Sequence, residues 1–248
     1  MVEVRLRKRL QKLSLGSFDE YEQYLFSREG MREELVNMVD VLTTNTTNFF
    51  RESPHFDFLL KHCLPDLALK RGIGFNGRSL RVWSAGCSSG EEPYTIGMLL
   101  SEFAEKNPGF DFSLLGTDIS TTVLNVAKQA IYDEERIAQI PQQLKQKYLL
   151  RSRNKAAGKV RINPALRNKV RFERLNFMDE NFGFKVPFDI IFCRNVIIYF
   201  DLQTQKNLLN KFMKHLDEGS YLFMGHSETL YGMGLPLKHL TPATYQRT

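Results

Sequence analysis

The chain has 248 residues, of which 42% are hydrophobic and 25% charged, a composition typical of folded globular proteins and not of disordered ones. No apolar run approaches the ~20 residues of a membrane span, and the charged N-terminus lacks the apolar core of a signal peptide. We therefore expect a cytoplasmic protein. Cys63, Cys87 and Cys193 are odd in number and widely spaced, which argues against a disulfide framework and against a metal site.

Part of the net charge of +6 is concentrated near the N-terminus, where five basic residues occur without an intervening acid. They are Arg5, Arg7, Lys8, Arg9 and Lys12. In a helix, leucines at i, i+4 and i+7 would form an apolar stripe, and all the basic residues except Arg7 would share an adjacent flank. Such a flank is either a solvated face or a docking surface for an acidic partner, which could be nucleic acid or a carboxylate-rich helix.

Residues 1–72 predict a small N-terminal helical domain. Ser17 is expected to cap its second helix, and apolar spacing near 3.6 predicts a third helix over 31–42. The β-branched and Asn residues at 43–47 predict a loop, after which a helical face resumes. A glycine-rich link at 72–77 marks the expected domain boundary.

Residues 78–248 alternate strand and helix patterns, which predicts an α/β fold with a mainly parallel sheet covered by helices on both faces. Strands are predicted at 80–84, 112–117, 170–176, 188–193, 221–225 and near 243–247, and helices at 93–106, 121–129 and 204–216. Residues 141–168 interrupt the alternation. Their basic stretch, 151–155, and the strand pattern after Gly158 predict a small inserted β-subdomain.

The first predicted strand of the sheet is followed by the small-residue turn Ala-Gly-Cys-Ser-Ser-Gly at 85–90. Ligands of such sheets bind beyond the carboxyl ends of the strands, and small residues there permit close approach of a ligand to the backbone. Glu91 and Glu92 then begin a helix, where they would repel a phosphate but suit an ammonium group. We favour Glu91 over Glu92 for this contact. These acids argue against NAD and ATP, and no P-loop sequence is present.

Polar side chains also follow two later strands. Asp118 ends the second strand, where a carboxylate can bind both ribose hydroxyls, and Ser120 is the better cap for the next helix. Arg194 and Asn195 end a continuous apolar strand, at the exit where a substrate-facing loop belongs. Tyr199 follows in an apolar run, a pattern that by itself is more typical of a core residue. An ammonium and a ribose together indicate S-adenosylmethionine.

Five motifs, in this order, resemble the CheR family of chemotaxis receptor methyltransferases. They are Asn-x-Thr-x-Phe-Phe-Arg-Glu from Asn45, Ala-Gly-Cys-Ser-Ser-Gly-Glu-Glu-Pro-Tyr from Ala85, Thr-Asp-Ile-Ser from Thr117, Cys-Arg-Asn-Val-Ile-Ile-Tyr-Phe from Cys193 and Gly-His-Ser-Glu from Gly225. The resemblance covers nearly the whole chain. It implies a Rossmann-like class I methyltransferase that uses S-adenosylmethionine to convert glutamates of chemoreceptor cytoplasmic helices to γ-methyl esters, with S-adenosylhomocysteine as product.

The resemblance also implies residue roles by position. It assigns cofactor contacts to Asn45, Thr47, Arg51, Glu91, Asp118, Asn176, Phe177, Cys193 and Arg194. It places Arg51 and Tyr199 beside the transferred methyl group. The basic helix matches one that family members lay against acidic receptor helices, which favours the docking interpretation and makes four residues candidate substrate contacts. These are Arg5, Lys8, Arg9 and Lys12.

We expect a monomer that neither binds nucleic acid nor inserts into a membrane. Two alternatives remain open. A nucleic-acid methyltransferase would suit the pI of about 9.2, but the chain lacks a Pro-Pro-Tyr/Phe element after Asn195 and a clear set of aromatic residues for base stacking. A non-catalytic module that senses S-adenosylmethionine would also share these motifs.

Overall fold

The computed structural model describes residues 2–152 and 158–248, so residues 153–155 of the predicted basic stretch lie outside the described residues. The N-terminal part is a bundle of four short helices with its own apolar core, built around Leu6, Leu10, Tyr21 and Leu25. The helices are α1 (Val2–Leu13), α2 (Phe18–Leu25), α3 (Arg28–Glu33) and α4 (Leu35–Leu42). The hydroxyl of Ser17 accepts a hydrogen bond from the Glu20 amide at 3.1 Å, which confirms the predicted cap.

The chain then forms α5 (Pro54–Phe58), which continues into two π-helical segments, Leu59–Cys63 and Pro65–Lys70. Apolar side chains of this stretch, including Phe56 and Leu59, belong to the core of the sheet and not to that of the helical bundle. By packing, the helical bundle thus ends earlier than the boundary predicted at residue 72. We infer that the division between the two parts of the chain lies in the loop that follows α4.

Seven strands form the main sheet, in the order β6-β2-β1-β7-β8-β10-β9, with β10 antiparallel to both of its neighbours. Their bounds are β1 (Leu80–Ala85), β2 (Phe112–Asp118), β6 (Val170–Arg174), β7 (Phe188–Cys193), β8 (Leu216–Met224), β9 (Leu237–Thr241) and β10 (Thr244–Arg247). The strand order reverses between β1 and β7, and this switch point is where a doubly wound sheet binds its ligands. The predicted Rossmann-like α/β class is confirmed.

Alternate residues of the central strands point to opposite faces of the sheet and form two cores. Val82 and Phe192 lie in one core, while Trp83 and Ile191 lie in the other. Helices cover both faces. They include α6 (Glu91–Lys106), α7 (Thr121–Gln129) and α10 (Leu202–Met213). Burial on both faces explains why these strands are continuous apolar runs in the sequence.

The predicted insert is a second sheet of three strands in the order β3-β5-β4. These are β3 (Ile131–Asp133), β4 (Leu149–Arg151) and β5 (Lys159–Ile162), accompanied by α8 (Gln142–Tyr148) and α9 (Pro164–Arg167). The small sheet therefore begins before residue 141, the predicted start of the insert. Three residues are too few for an alternating pattern to reveal β3, in which only Tyr132 is buried. The sequence patterns likewise missed β9. Among the described residues, no helix is both long and apolar enough to cross a membrane.

Candidate active site

A cavity of about 400 Å³ opens at the carboxyl ends of the central strands, at the switch point of the main sheet. One part of the lining, which we call the strand-end wall, contains side chains that lie at the end of β2 or follow β1 and β7. These include Glu92, Asp118 and Arg194. A second part of the lining, the loop wall, is formed by residues 42–48 and Arg51. Asn176 and Phe177 line the cavity as well, and Tyr199 lies at its edge with 61% of its surface exposed.

The two glycines of the turn after β1 make room for protein atoms. Gly86 has a φ of +80°, and a Cβ atom there would lie 2.5 Å from Cγ2 of Val196. Gly90 has a φ of +93°, and its Cβ would lie 2.8 Å from that of Ala127. Both positions require glycine for backbone conformation and close packing. The sequence correctly marked a tight turn, but the close approach at these glycines is made by neighbouring side chains.

The structure distinguishes the two glutamates that begin α6. Glu91 is fully buried away from the cavity, forms an ion pair with Arg136 and accepts a hydrogen bond from the Ser89 hydroxyl at 2.7 Å. Glu92 lines the cavity and accepts hydrogen bonds from Ser84 Oγ at 2.7 Å and from Arg194 Nη1 at 3.0 Å. Our preference for Glu91 as the ligand contact is therefore wrong. One helical residue corresponds to about 100° of rotation, which turns Glu91 away from the cavity.

The carboxylate of Asp118 is held in place at the end of β2 by backbone amides. It accepts hydrogen bonds from Ser88 N at 2.8 Å and from Ser120 N at 3.0 Å, and the residue is 9% exposed. Burial raises the pKa of Asp118, while these amide donors act in the opposite direction. The Ser120 hydroxyl caps α7 by accepting from Val123 N, as predicted. Asp118 is thus a positioned acceptor at the cavity.

Arg194 connects the two walls of the cavity. Its side chain is 2% exposed, and Nη2 donates to Glu52 Oε2 at 3.0 Å and to the backbone carbonyl of Arg51. Its other terminal nitrogen holds Glu92. The preceding residue, Cys193, is fully buried in the core on one face of the sheet and does not line the cavity. The structure therefore contradicts a side-chain contact between Cys193 and a ligand, because consecutive strand residues point to opposite faces.

Glu52 and Glu228 fix the turn after β7, and the sequence reasoning did not single out either of them as a site residue. Glu228 accepts hydrogen bonds from the amides of Asn195, Val196 and Ile197 at 2.8 to 2.9 Å. Both acids fall inside motifs that were recognised, which is the signal that could have identified them. By holding this turn, they also position Tyr199 a few residues further on.

Glu52 also lies beside two histidines, and within the described ranges these are the three side chains whose ligand atoms come close enough to hold a metal ion, all within 4.8 Å of one another. The other two are His55 and His226. Glu52 is already engaged by Arg194 and by Asn195 Nδ2. Burial lowers the pKa of His55 to about 4, and the Arg194 cation acts in the same direction. We interpret the group as polar packing behind the turn, in which His55 is buried and His226 is exposed.

The loop wall is attached through fewer contacts. The backbone carbonyl of Asn45 accepts from Ser88 Oγ at 2.8 Å, and Asn45 Nδ2 donates to Thr43 Oγ1 at 3.0 Å. Arg51 is partly buried and donates to the Thr46 carbonyl at 3.0 Å. Asn45, Thr47 and Arg51 all line the cavity. The three residues predicted from this segment are thus brought to one site.

The basic helix differs from its prediction at one position. Arg9 is 8% exposed and forms an ion pair with Glu34, which is 1% exposed and also accepts from the Tyr21 hydroxyl at 2.9 Å. The prediction that Arg9 lies on an exposed flank is wrong, since it faces the bundle from the same side of α1 as its leucines. Lys8 and Lys12 are exposed, as predicted. Arg5 is partly buried against the loop wall.

The cavity fits S-adenosylmethionine better than a nucleotide phosphate. Two buried or half-buried carboxylates, Glu92 and Asp118, face it from the strand ends, and burial raises the pKa of both. Carboxylate oxygens at these positions can accept hydrogen bonds from an ammonium group and from hydroxyls, whereas a pyrophosphate offers no such donors. The sheet order, with one carboxylate at the cavity after β1 and another at the end of β2, is the arrangement of S-adenosylmethionine-dependent methyltransferases.

Comparison with known proteins identifies the family. Residues 45–245 match the model "CheR methyltransferase, SAM binding domain". The chain is 46% identical to a chemotaxis protein methyltransferase of Borreliella burgdorferi over 100% of this chain and 86% of that protein. It is 41% identical to chemotaxis protein methyltransferase 2 of Pseudomonas aeruginosa, over 92% of this chain and 78% of the relative. The chain is 40% identical to the Escherichia coli chemotaxis protein methyltransferase, over 92% of this chain and 76% of the relative.

The chain belongs to the CheR methyltransferase family. It is accordingly an S-adenosylmethionine-dependent methyltransferase of chemotaxis. The resemblance found in the motifs is confirmed.

Proposed function

We propose that the protein transfers a methyl group from S-adenosylmethionine to glutamate side chains of chemoreceptor cytoplasmic helices, forming γ-methyl esters. The observation that carries this proposal is the arrangement of the cavity, with acidic groups at the strand ends and Arg51 and Tyr199 on its accessible side. The acids suit the donor, and a partly exposed cation beside them suits an incoming carboxylate. Family membership supports the same assignment.

The methyl transfer does not require the protein to move a proton. A glutamate with a pKa of about 4.3 is ionised at pH 7, so the attacking oxygen needs no general base. Bound S-adenosylmethionine supplies a methyl group already activated by its positive sulfur. The protein's contribution is then alignment of the reacting groups, which is worth about 7 kcal/mol or more when the geometry is good.

Arg51 and Tyr199 are the residues we assign to this alignment. Arg51 can donate two parallel hydrogen bonds to a carboxylate, and Tyr199 offers a second donor from the turn that Glu228 fixes. A cation that bound the substrate charge more strongly than the dispersed charge of the transition state would slow the reaction. We therefore assign both residues to orientation of the carboxylate.

Receptor docking is assigned to the exposed side of α1. Lys8 and Lys12 are exposed there and carry the charge that would attract an acidic helix, whereas Arg9 is neutralised by Glu34. We further propose that the protein acts as a monomer in the cytoplasm and that its positive charge serves protein docking and not nucleic-acid binding.

The test uses receptor-containing membranes and tritiated S-adenosylmethionine. Arg51→Ala should abolish most incorporation of label while S-adenosylhomocysteine still binds, as measured by calorimetry. Arg32→Ala is a matched control, because the Arg32 side chain is 82% exposed and paired only with its neighbour Glu33 among the described residues. Its turnover should stay at the wild-type level.

The chemical nature of the label separates the alternatives. Methyl esters release methanol in base, whereas N-methyl groups of a nucleic acid do not. Stable label would overturn the proposal in favour of a nucleic-acid methyltransferase. Absence of any incorporation, with S-adenosylhomocysteine bound, would indicate a sensor. Unchanged turnover in Arg51→Ala would remove that residue from the reaction.

A further inference from the structure

We propose that Arg5 is a positioning residue of the cofactor cavity, which joins the basic helix to the loop wall. The inference rests on the proposed function only in that S-adenosylmethionine occupies this cavity. It departs from the sequence prediction, in which Arg5 was grouped with Lys8 and Lys12 as a receptor contact.

The side chain of Arg5 crosses from α1 to the end of α4. Its Nη1 donates to the backbone carbonyls of Leu42 at 2.5 Å and Thr43 at 3.0 Å, and Nη2 donates to Thr44 Oγ1 at 3.1 Å. All three acceptor residues line the cavity. The guanidinium thus holds three residues of the loop wall without lining the cavity itself.

Two of these acceptors, the carbonyls of Leu42 and Thr43, are groups that a helix end leaves without partners. The last carbonyls of a helix have no intrahelical donor, and a cation near them is favoured by the helix dipole. Arg5 supplies both the donors and the charge at the C-terminus of α4. Three hydrogen bonds from one planar group fix a direction as well as a distance, which a single ammonium cannot do.

The fixed segment leads directly into the strand-end wall. Asn45 follows Thr44, and its carbonyl accepts a hydrogen bond from Ser88 Oγ at 2.8 Å. The amide of Ser88 in turn donates to Asp118 at 2.8 Å. Hydrogen bonds and short stretches of backbone therefore connect α1, through residues 42–45 and Ser88, to the carboxylate that we assign to the ribose.

The other end of this unit is anchored separately. Asp40 accepts hydrogen bonds from the hydroxyls of Thr121 at 2.9 Å and Thr122 at 2.8 Å, which hold α4 against α7. Because α4 stays attached through Asp40, loss of Arg5 should release the cavity wall without detaching the helix. The loss of Arg5 should accordingly lower the affinity for the ligand more than it lowers the free energy of unfolding.

The arrangement gives the two sides of α1 different tasks. Arg7 and Lys8 are exposed to solvent, whereas Arg5 is partly buried at the cavity. Since Arg5 belongs to the helix assigned to docking, a partner that displaces α1 would also move residues 42–44. Binding of the two substrates would then be coupled, and the coupling would be reciprocal.

The test measures S-adenosylhomocysteine affinity by calorimetry, in the absence of receptor. Arg5→Ala should weaken binding about tenfold, the effect of losing the equivalent of one hydrogen bond to a charged group. Arg5→Lys should recover only part of the affinity, because the charge remains but the three-bond geometry is lost. Arg7→Ala is the matched control on the same helix and should bind like the wild type.

The outcomes separate this inference from the proposed function. If the wild-type protein did not bind S-adenosylhomocysteine, the cofactor assignment itself would fail. If the wild type bound and Arg5→Ala bound equally well, with only the KM for receptor raised, Arg5 would be a docking residue and the inference would be overturned. Thr44→Val, which removes a single acceptor, checks the result in a protein whose α1 is unaltered and should weaken binding by less than Arg5→Ala.

Discussion

The strand-end wall and the loop wall line the same cavity but are held in different ways. In the strand-end wall, Glu92 and Asp118 each engage two donors, and Arg194 is almost fully buried among its partners. In the loop wall, Arg51 donates to the Thr46 carbonyl and is partly exposed, and Arg5 supports the segment from outside. One wall is therefore preorganised by burial, while the other depends on surface hydrogen bonds.

This difference matches the two tasks that the site must perform. A ligand common to every turnover is best held by groups that do not move, whereas a large protein substrate must approach and leave. Loops with few buried contacts open at low free-energy cost. We therefore expect substitutions in the strand-end wall to affect stability and ligand affinity together, and those in the loop wall to affect binding and turnover with little loss of stability.

The largest effect is expected for Arg194→Ala, which would break the strand-end wall. It leaves Glu52 and Glu92 without their cation, and removing one partner of a buried ion pair costs about 3 to 5 kcal/mol of unfolding free energy. Urea unfolding monitored by circular dichroism would measure this loss. Arg171→Ala, which removes an ion pair between two exposed side chains, is the control and should cost under about 1 kcal/mol.

An Arg194→Ala protein as stable as the Arg171→Ala control would contradict the proposed role of burial. It would show that the carboxylates of the strand-end wall reach solvent or take up protons without penalty. The two walls would then not differ in how far burial holds them in place.

The sequence predicted those features of the two walls that depend on a pattern within one short segment, and it missed those that depend on distant residues. Strand β7 and helix α7 were predicted with their observed bounds, because a continuous apolar run and a serine cap are local patterns. The choice of Glu91 over Glu92 as the ligand contact was wrong because a rotation of one residue around the helix decides which side chain faces the cavity. The prediction that Arg9 is exposed was wrong because its partner, Glu34, lies 25 residues away in the sequence.

The contacts between the walls were even less accessible to sequence reasoning. Arg194 and Glu52 are 142 residues apart, and nothing in the local pattern of either residue indicates a shared ion pair. The motifs showed that both residues belong to the family pattern, but only the fold explains why. Tertiary pairing of charges is the part of this site that composition and periodicity do not encode.

An intermediate effect is expected in the pH dependence of the unfolding free energy. It tests the packing behind Arg194, on which the contrast between the strand-end wall and the loop wall depends. His55 has a pKa of about 4 in the folded protein, against about 6.5 when unfolded. Between these values the unfolded chain binds a proton that the folded protein does not. The contribution of His55 to stability is therefore complete above pH 6.5 and is lost as the pH falls towards 4, by about 3 kcal/mol.

Unfolding free energies measured from pH 4 to 7 for the wild type and for His55→Phe would test this expectation. The substitution should make the unfolding free energy depend less on pH, because it removes the titration of His55. The carboxylates are common to both proteins and contribute equally to the pH dependence of each. Equal slopes in the two proteins would show that the pKa of His55 is the same in the folded and unfolded states, and that the packing behind the strand-end wall does not exclude water from this imidazole.

The smallest effect is expected when the two adjacent glutamates of α6 are compared. Glu92→Gln should weaken S-adenosylhomocysteine binding about tenfold, because a neutral amide cannot pair with the ammonium group of the ligand. Glu91→Gln removes the same charge one residue earlier, but its partner is Arg136 and not the cavity, so affinity should change by less than twofold. Calorimetry on the two variants measures the difference directly. The reverse order of affinities would return the contact to Glu91 and require α6 to begin in a different rotation from the one observed.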